Sequence, residues 1–190
     1  GFDFTYGKGR SGSAEGLRKH GQQMGFSVSV SERLDDASGL KLSSSAVREA
    51  LKAGDMDRAA HILGRPFAIE GTVIHGDKRG RTIGVPTANI AIGDYMRPAY
   101  GVYATRTRLA DGRVVNGVAN LGIRPMYEIE VPLLEVWLLD FEGSLYDQTV
   151  DTELVAFLRG EMKFDSLEEL KVQIDKDAAA ARAVLGSLNK

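Results

Sequence analysis

Short strand-like segments, separated by glycine, aspartate and asparagine turns, constrain the fold of this chain more than any other feature. They are rich in β-branched and aromatic residues and comprise Phe67–Ile74, Tyr100–Leu109, Val114–Leu121, Leu133–Phe141 and Thr149–Leu158. Between two of them, Asp111-Gly112 is a strong signal for a tight hairpin. Closely spaced strands joined by such turns predict an antiparallel sandwich or a small barrel.

Helical patterns lie on both sides of the strand-rich region. The elements predicted before it are a helix at Ala14–Met24, a strand at Phe26–Val30, a helix at Ser43–Ala53 and a helix from Asp55 to Gly64. After it, Ser166 and Glu169 have the spacing of a capping box. An apolar stripe follows at steps of three and four residues, at Leu167, Leu170, Ile174, Ala178, Ala181 and Leu185. The change of character near Gly64 predicts two domains, at 1–63 and 64–190.

Composition restricts the classes of function. The 190 residues are 43% hydrophobic and 26% charged, which is typical of a soluble globular protein. The net charge of −2 and the pI of about 6.0 argue against sequence-independent nucleic-acid binding. Cysteine is absent, which excludes thiolate chemistry and suits a cytoplasmic enzyme. No apolar run approaches the roughly 20 residues of a membrane helix, and the glycine-rich start at Gly1 looks like the middle of a longer protein.

A glycine-rich basic segment follows the first predicted strand. Gly76, Gly80 and Gly84 recur at intervals of four, and glycine allows a ligand to approach the backbone closely. Backbone N–H groups together with Lys78 and Arg81 favour an anion such as a phosphate. The segment matches neither the P-loop nor the dinucleotide fingerprint. A solvated basic hairpin explains the same spacing equally well.

Thr87 and Asn89 stand two residues apart directly after Pro86. On extended backbone, residues with this spacing point to the same side. A hydroxyl and an amide oxygen are hard ligands suited to Mg²⁺, which takes its other ligands from water and substrate phosphates. A turn in which both side chains satisfy backbone groups is the simpler interpretation of the same residues.

Glu135 is a carboxylate inside an almost wholly apolar segment, Leu133–Phe141, in which Asp140 is the other carboxylate and points to the opposite face. Such a strand is covered on both faces or belongs to a closed barrel. Burying an unpaired carboxylate costs several kcal/mol, so a carboxylate in this setting often has a functional role. The alternative is that Glu135 lies on a sheet edge or pairs with an arginine such as Arg124.

Eight motifs follow one another along the second part of the chain. They are GRPF at Gly64–Phe67, GTVIHGD at Gly71–Asp77, GRTIGVPTAN at Gly80–Asn89, GVY at Gly101–Tyr103, NLGIRP at Asn120–Pro125, LEVWLLDF at Leu134–Phe141, FLRGEMKF at Phe157–Phe164 and SLEEL at Ser166–Leu170. In this order they resemble the riboflavin kinase domain of the bacterial bifunctional riboflavin kinase/FAD synthetase family. The resemblance covers essentially all of 64–190.

The resemblance implies a mainly β fold, a six-stranded antiparallel Greek-key barrel with a C-terminal helix packed outside. It implies transfer of phosphate from ATP to riboflavin with Mg²⁺, with Glu135 as the catalytic base and Thr87 and Asn89 as metal ligands. The residues it places at ATP are Gly76, Lys78, Gly80, Arg81, Thr87, Asn89, Leu138, Asp140 and Tyr146. Those it places at the flavin are Arg159, Met162 and Phe164.

The first 63 residues resemble the later part of the same family's FMN adenylyltransferase domain, an incomplete α/β nucleotidyltransferase fragment. The matching segments are Gly1–Gly7 and Leu42–Arg48, and the resemblance implies phosphate contacts for Ser44, Ser45 and Arg48. The family's histidine motif for ATP is absent from this sequence. We therefore expect FAD synthesis only from a longer parent protein.

Three other functions stay open at this point. They are an adenylyltransferase, a flavin-binding module without catalysis and a small barrel that binds oligonucleotides. One departure from the family lies in Met126–Pro132, which is bulkier and more acidic than the family's usual glycine-rich turn. The shape of the chain beside Glu135 is therefore not given by the resemblance.

Overall fold

The computed structural model describes residues 1–37, 39, 41–76, 80, 84–126 and 129–187. The chain divides into two compact units, Gly1–Ser43 and Ser44–Lys190. The helices between residues 44 and 63 therefore group with the strand-rich unit, whereas the sequence predicts a boundary at Gly64. The assignment of 1–63 to part of an FMN adenylyltransferase domain, separate from 64–190, stays a prediction.

The first unit is a small ribbon and one helix. Strands β1 (Thr5–Tyr6) and β2 (Gly12–Ser13) pair antiparallel, and helix α1 (Ala14–Met24) follows as predicted. The strand predicted at Phe26–Val30 is wrong, because these residues form no regular pairing. The amide of Phe26 instead donates to the carbonyl of Gly21 at 3.0 Å, so the chain folds back on the end of α1.

Two helices open the second unit. Helix α2 spans Ser44–Ala53 and helix α3 spans Met56–Leu63. The Asp55 carboxylate accepts the amide of Arg58 at 3.0 Å, and Gly64 ends α3 in the left-handed conformation, as the sequence predicts. Leu51 and Met56 are buried in the same hydrophobic cluster as the barrel interior.

Six strands form a closed antiparallel barrel in the spatial order β3-β4-β7-β6-β5-β8. They are β3 (Phe67–Ile74), β4 (Ala88–Ala91), β5 (Gly101–Arg108), β6 (Val114–Met126), β7 (Ile129–Leu138) and β8 (Thr149–Arg159). The predicted barrel is thus confirmed, and the sequence located all strands except β4. Closure matters because it leaves no free edge within the barrel.

Helix α4 (Leu167–Ser187) packs on the outside of this barrel. One half of its predicted capping box is present, with the amide of Glu169 donating to Ser166 Oγ at 3.1 Å, and the Glu169 carboxylate accepts the amide of Asp165 at 3.2 Å. The buried part of its stripe comprises Ala178, Ala181 and Leu185, whereas Leu167 is 50% exposed. Of the helices that the described residues form, none has the length and apolar character needed to cross a membrane.

Candidate functional site

A row of side chains crosses the outer face of the barrel on neighbouring strands. Asn89 of β4 lies opposite Glu135 of β7, which in turn lies opposite Asn120 of β6. The row continues through Val102 of β5 to Arg159 of β8. Directly opposite residues of antiparallel strands share a face, with Cβ atoms about 4.5–5.5 Å apart. We call these five residues the outer-face row.

The alternation along β7 shows that the row faces outward. Leu134 and Val136 belong to the core inside the barrel. Trp137 instead packs in a separate hydrophobic cluster, between the outer face of the barrel and α4. Glu135 has the same parity as Trp137 and is half-buried. Because β7 is hydrogen-bonded to β4 and β6, the alternative that Glu135 lies on a sheet edge is wrong.

Asn89 is buried in a strand, which excludes the turn interpretation of this residue. Its exposed fraction is 7%, and its register partners are Ile74 and Glu135. A buried amide needs hydrogen-bond partners or a ligand. Because Asn89 lies beside Glu135, a ligand that contacts Glu135 can also contact Asn89.

Two glycines bring the backbone close to the oxygens of Asn89 and Thr87. A Cβ atom built on Gly76 would lie 2.5 Å from Nδ2 and 3.0 Å from Oδ1 of Asn89. A Cβ built on Gly80 would collide with the carbonyl oxygen of Val85 and lie 3.7 Å from Thr87 Oγ1. Glycine therefore has a steric reason at both positions. We call Gly76, Gly80, Thr87 and Asn89 the glycine cradle. Lys78 and Arg81 lie outside the described residues.

Gly76→Ala is expected to impair this cradle. The added methyl group has no room beside the buried Asn89 side chain, so it displaces the amide from the position that the fold gives it. We expect the KM for ATP to rise by about tenfold or more, with a much smaller change in the KM for riboflavin. Gly186→Ala is the matched control, because its Cβ would meet nothing within 4 Å. Equal effects of both substitutions on the KM for ATP would contradict the cradle.

A groove opens beside the cradle, between the start of β4, the end of β7 and the chain that follows β7. Three residues predicted to bind ATP line it: Thr87, Leu138 and Tyr146. The remaining lining is largely apolar and includes Val73, Val136 and Phe141. The ring of Tyr146 stacks on His75, with centroids 4.0 Å apart and an interplanar angle of 27°. An apolar groove beside a stacked aromatic pair suits a planar heterocycle.

Asp140 is not among the residues that line this groove. Its backbone has a positive φ of 56°, and its carboxylate accepts a hydrogen bond from Arg182 Nη2 of α4 at 2.8 Å. The ion pair joins the end of β7 to the outer helix. A contact between Asp140 and ATP stays a prediction.

The predicted flavin residues lie at the far end of the outer-face row. Arg159 ends β8, and its guanidinium lies 5.9 Å from the ring of Phe164. Met162 is 53% exposed. The structure therefore brings Arg159 and Phe164 together, with Met162 on the same short segment.

Ser44, Ser45 and Arg48 lie on the first turns of α2, and all three are exposed. Arg48 Nη1 donates to Ser44 Oγ at 3.3 Å, one helical turn away. None of the three belongs to the outer-face row or lines the groove. Their role in adenylyl transfer stays a prediction.

Two residues at the site were not predicted from the sequence. Asn120 was visible as part of a motif, but only the strand register places it directly beside Glu135. Asp177 is 5% exposed and binds Arg159. Its spacing of three from Ile174 and four from Ala181 puts it on the apolar stripe of α4, a signal that was available in the sequence.

Comparison with known proteins identifies a family whose sequence pattern covers the residues of the candidate site. Residues 63–185 match the riboflavin kinase (flavokinase) family. The chain belongs to this family. The matched riboflavin kinase region includes every barrel strand, the outer-face row, the groove and most of α4.

Two similar proteins carry the name bifunctional riboflavin kinase/FMN adenylyltransferase. The riboflavin kinase/FMN adenylyltransferase of Haemophilus influenzae is 44% identical over 98% of the chain and 60% of its own length. The Escherichia coli K12 protein of the same name is 41% identical over 98% of the chain and 59% of its own length. The chain therefore spans about 60% of the length of the curated relatives it matches.

A solved structure shows a similar fold. A Streptococcus pneumoniae protein described as a macrolide-efflux protein is 33% identical with a TM-score of 0.78. The match covers 95% of this chain and 58% of that protein. The likeness therefore extends over both compact units of this chain.

Proposed function

We propose that this protein is a riboflavin kinase that transfers the γ-phosphate of ATP to the riboflavin 5′-hydroxyl, giving FMN and ADP. The observation that carries the proposal is the spatial order of the predicted residues. The groove with Leu138 and Tyr146 is also lined by Thr87, which is two residues before Asn89 in the chain, and Asn89 lies beside Glu135. An ATP-binding region, a phosphate region and a carboxylate base thus succeed one another along the barrel surface.

The groove and the glycine cradle are the proposed ATP site. The adenosine end lies against the apolar lining near Leu138 and Tyr146. The phosphates extend toward Gly76 and Gly80, whose backbone N–H groups are the proposed donors to phosphate oxygens.

The oxygens of Thr87 and Asn89 fit Mg²⁺. Both are hard neutral ligands, and glycine at positions 76 and 80 lets the backbone lie against this part of the chain, where a Cβ atom would collide with Asn89 or Val85. Among the described residues no group of three His, Asp or Glu side chains would hold a metal alone. A site with few protein ligands suits Mg²⁺ that is shared with substrate phosphates. When bound, Mg²⁺ supplies neutralisation of phosphate charge.

Glu135 is the proposed general base. It is half-buried on β7 and lies between Asn89 and Asn120, so its position is set by strand pairing on both sides. Phosphoryl transfer depends chiefly on alignment and charge neutralisation, and a base that accepts the hydroxyl proton adds roughly 10²–10⁴-fold. In phosphoryl transfer the attacking and leaving oxygens lie roughly in line with the phosphorus. The ribityl 5′-hydroxyl must therefore reach Glu135 from the side opposite the ATP groove.

The flavin site is proposed at the Arg159 end of the outer-face row. Phe164 and the exposed Met162 offer apolar surface for a flat ring system. From there a ribityl chain extends past Asn120 toward Glu135, because Val102, the member of the row between Asn120 and Arg159, is buried under α4. This places ATP and riboflavin on opposite sides of the same carboxylate.

The other classes of function explain fewer of these observations. A flavin-binding module without catalysis needs neither the glycine cradle nor Glu135 beside Asn89. An oligonucleotide-binding barrel is disfavoured by the net charge of −2. Adenylyl transfer to FMN, the second activity in the relatives' names, is proposed only for a longer parent protein. A cytoplasmic location is proposed as well, which the cysteine-free composition suits.

The proposal is tested by incubating the protein with riboflavin and Mg·ATP and separating the flavins by chromatography. We expect FMN to accumulate with time and to require both ATP and Mg²⁺. Riboflavin that binds tightly but is never converted would favour the non-catalytic module instead.

A further inference from the structure

Asp177 is the one buried carboxylate among the residues that the structure describes, and the proposed reaction does not use it. It lies in the second half of α4 and is 5% exposed. A buried carboxylate is destabilising by several kcal/mol unless charged or polar groups pair with it. Its partners therefore indicate its role.

The partners of Asp177 are Arg159 and Gln173. Arg159 Nε donates to Oδ1 at 2.9 Å, and Arg159 Nη2 donates to Oδ2 at 2.7 Å. Gln173 Nε2 donates to Oδ1 at 2.9 Å. A two-point arginine–carboxylate pair fixes the orientation of the guanidinium as well as its charge. The third guanidinium nitrogen, Nη1, donates to the carbonyl of Gly160 at 2.9 Å, so each nitrogen of Arg159 has a partner within the protein.

The segment between Arg159 and α4 is held at both ends. At its start, Arg159 is bound to Asp177. At its end, the amide of Asp165 donates to Glu169 Oε2 at 3.2 Å, and Ser166 caps the helix. We call residues 160–165 the flavin segment, because Met162 and Phe164 lie on it.

The flavin segment reaches over the strand next to Glu135. Glu161 Oε1 lies 2.8 Å from the point where Gly122 would carry a Cβ atom. Asn120 Nδ2 lies 3.3 Å from the same point, and Asn120 is the register partner of Glu135. The path of this segment therefore decides what space is left above Glu135.

We propose that Asp177 is a positioning residue for riboflavin, which acts by fixing Arg159 and with it the flavin segment over the outer-face row. Arg159 works through this ion pair and not as a free cation against the flavin. Helix α4 thereby contributes to flavin affinity although it lies outside the barrel. The inference rests on the proposed riboflavin kinase function and assigns one further residue to it.

Asp177→Asn is the direct test, because it keeps the shape of the side chain and turns one acceptor toward Arg159 into a donor. We expect the KM for riboflavin to rise on the order of tenfold or more, with the KM for ATP and kcat each changing less than about twofold. Glu153→Gln is the matched control. It breaks another β8 ion pair, that of Glu153 with Arg106 at 2.9 Å, away from the flavin segment, and should leave all three constants unchanged.

A double-mutant cycle with Arg159→Gln separates the two roles open to Arg159. If Arg159 acts through Asp177, the double variant has a riboflavin KM close to that of the worse single variant. Multiplied effects would show that Arg159 contacts the flavin independently and would overturn the proposal. Should Asp177→Asn fail to fold, Gln173→Ala removes a weaker support of the same carboxylate, and a rise in riboflavin KM of about threefold is expected.

Failure of this inference differs from failure of the proposed function. If the unmodified protein forms no FMN, the kinase proposal itself fails. If FMN forms and folded Asp177→Asn has an unchanged riboflavin KM, or if the KM for ATP rises equally, Asp177 is a structural residue only. Thermal melting of each variant, measured without ligands, establishes that the kinetic constants describe folded protein.

Discussion

Glu135→Gln is expected to remove most FMN formation while the fold and nucleotide binding persist. The substitution keeps the size of the side chain but removes the group that accepts the proton of the attacking hydroxyl. Because general-base help is worth roughly 10²–10⁴-fold, kcat should fall by about this factor. Glu135 lies on a strand paired on both sides, so the amide should occupy the same place. Steady-state FMN formation together with calorimetric titration of Mg·ATP measures both parts of the prediction.

The control for Glu135→Gln is Glu70→Gln. Glu70 is an exposed carboxylate on β3 and has no place in the proposed site, so the same chemical change there should leave kcat unaltered. Near-normal turnover in Glu135→Gln would remove this residue from the role of base. Loss of nucleotide binding in the same variant would show instead that Glu135 supports the cradle.

Asn89→Ala is expected to weaken Mg·ATP far more than riboflavin. Asn89 is 7% exposed, and its amide oxygen lies at the glycine cradle. A polar contact to a charged group contributes about 1.5–3 kcal/mol, so its loss should raise the Kd of Mg·ATP roughly 10- to 100-fold. Riboflavin should bind with a change of less than about threefold, because its proposed site begins beyond Glu135.

The comparison for Asn89→Ala is Asn116→Ala on β6, a half-buried asparagine that is not a member of the outer-face row. Calorimetry of both variants with Mg·ATP and, separately, with riboflavin gives the four affinities needed. Equal losses for the two ligands in Asn89→Ala would contradict the metal and phosphate assignment, since they would indicate a general disturbance of the barrel.

Most of the barrel follows from the sequence because its strands are long enough to show their pattern. The bounds predicted for Phe67–Ile74 agree with those of β3, and the other four predictions overlap β5 to β8. Strand β4 was missed because it has four residues, too few to show an alternation, and follows a proline that is typical of a turn. It is a strand because β3 and β7 lie on either side of it, which is tertiary information.

At Phe26–Val30 the sequence shows a strand pattern, but the structure has no strand there. The segment alternates apolar and polar residues, but in the structure it has no neighbouring strand to pair with. An isolated strand leaves its backbone groups unpaired, so alternation alone is not sufficient. The segment Met126–Pro132, which departs from the family's usual turn, lies largely within strands. Strand β6 runs to Met126 and β7 begins at Ile129, so strand pairing continues on both sides.

The candidate site was predicted as a set of residues but not as an arrangement. Motif order suggested Asn89, Glu135 and Arg159, yet only the register across β4, β7, β6, β5 and β8 puts them in one row. Register depends on the whole barrel and cannot be read from one strand. The pairing of Arg159 with Asp177 likewise cannot be predicted from the sequence, because the two residues lie on different elements, β8 and α4, whose packing is tertiary information.

The most direct test of the central claim is the fate of the γ-phosphate. The protein is incubated with riboflavin, Mg²⁺ and ATP labelled at either the γ- or the α-phosphorus, and the flavins are separated and counted. The proposed function predicts label in FMN from γ-labelled ATP, no label in FMN from α-labelled ATP, and loss of the γ-label transfer in Glu135→Gln. Flavin that stays unlabelled while ATP and riboflavin both bind would contradict it.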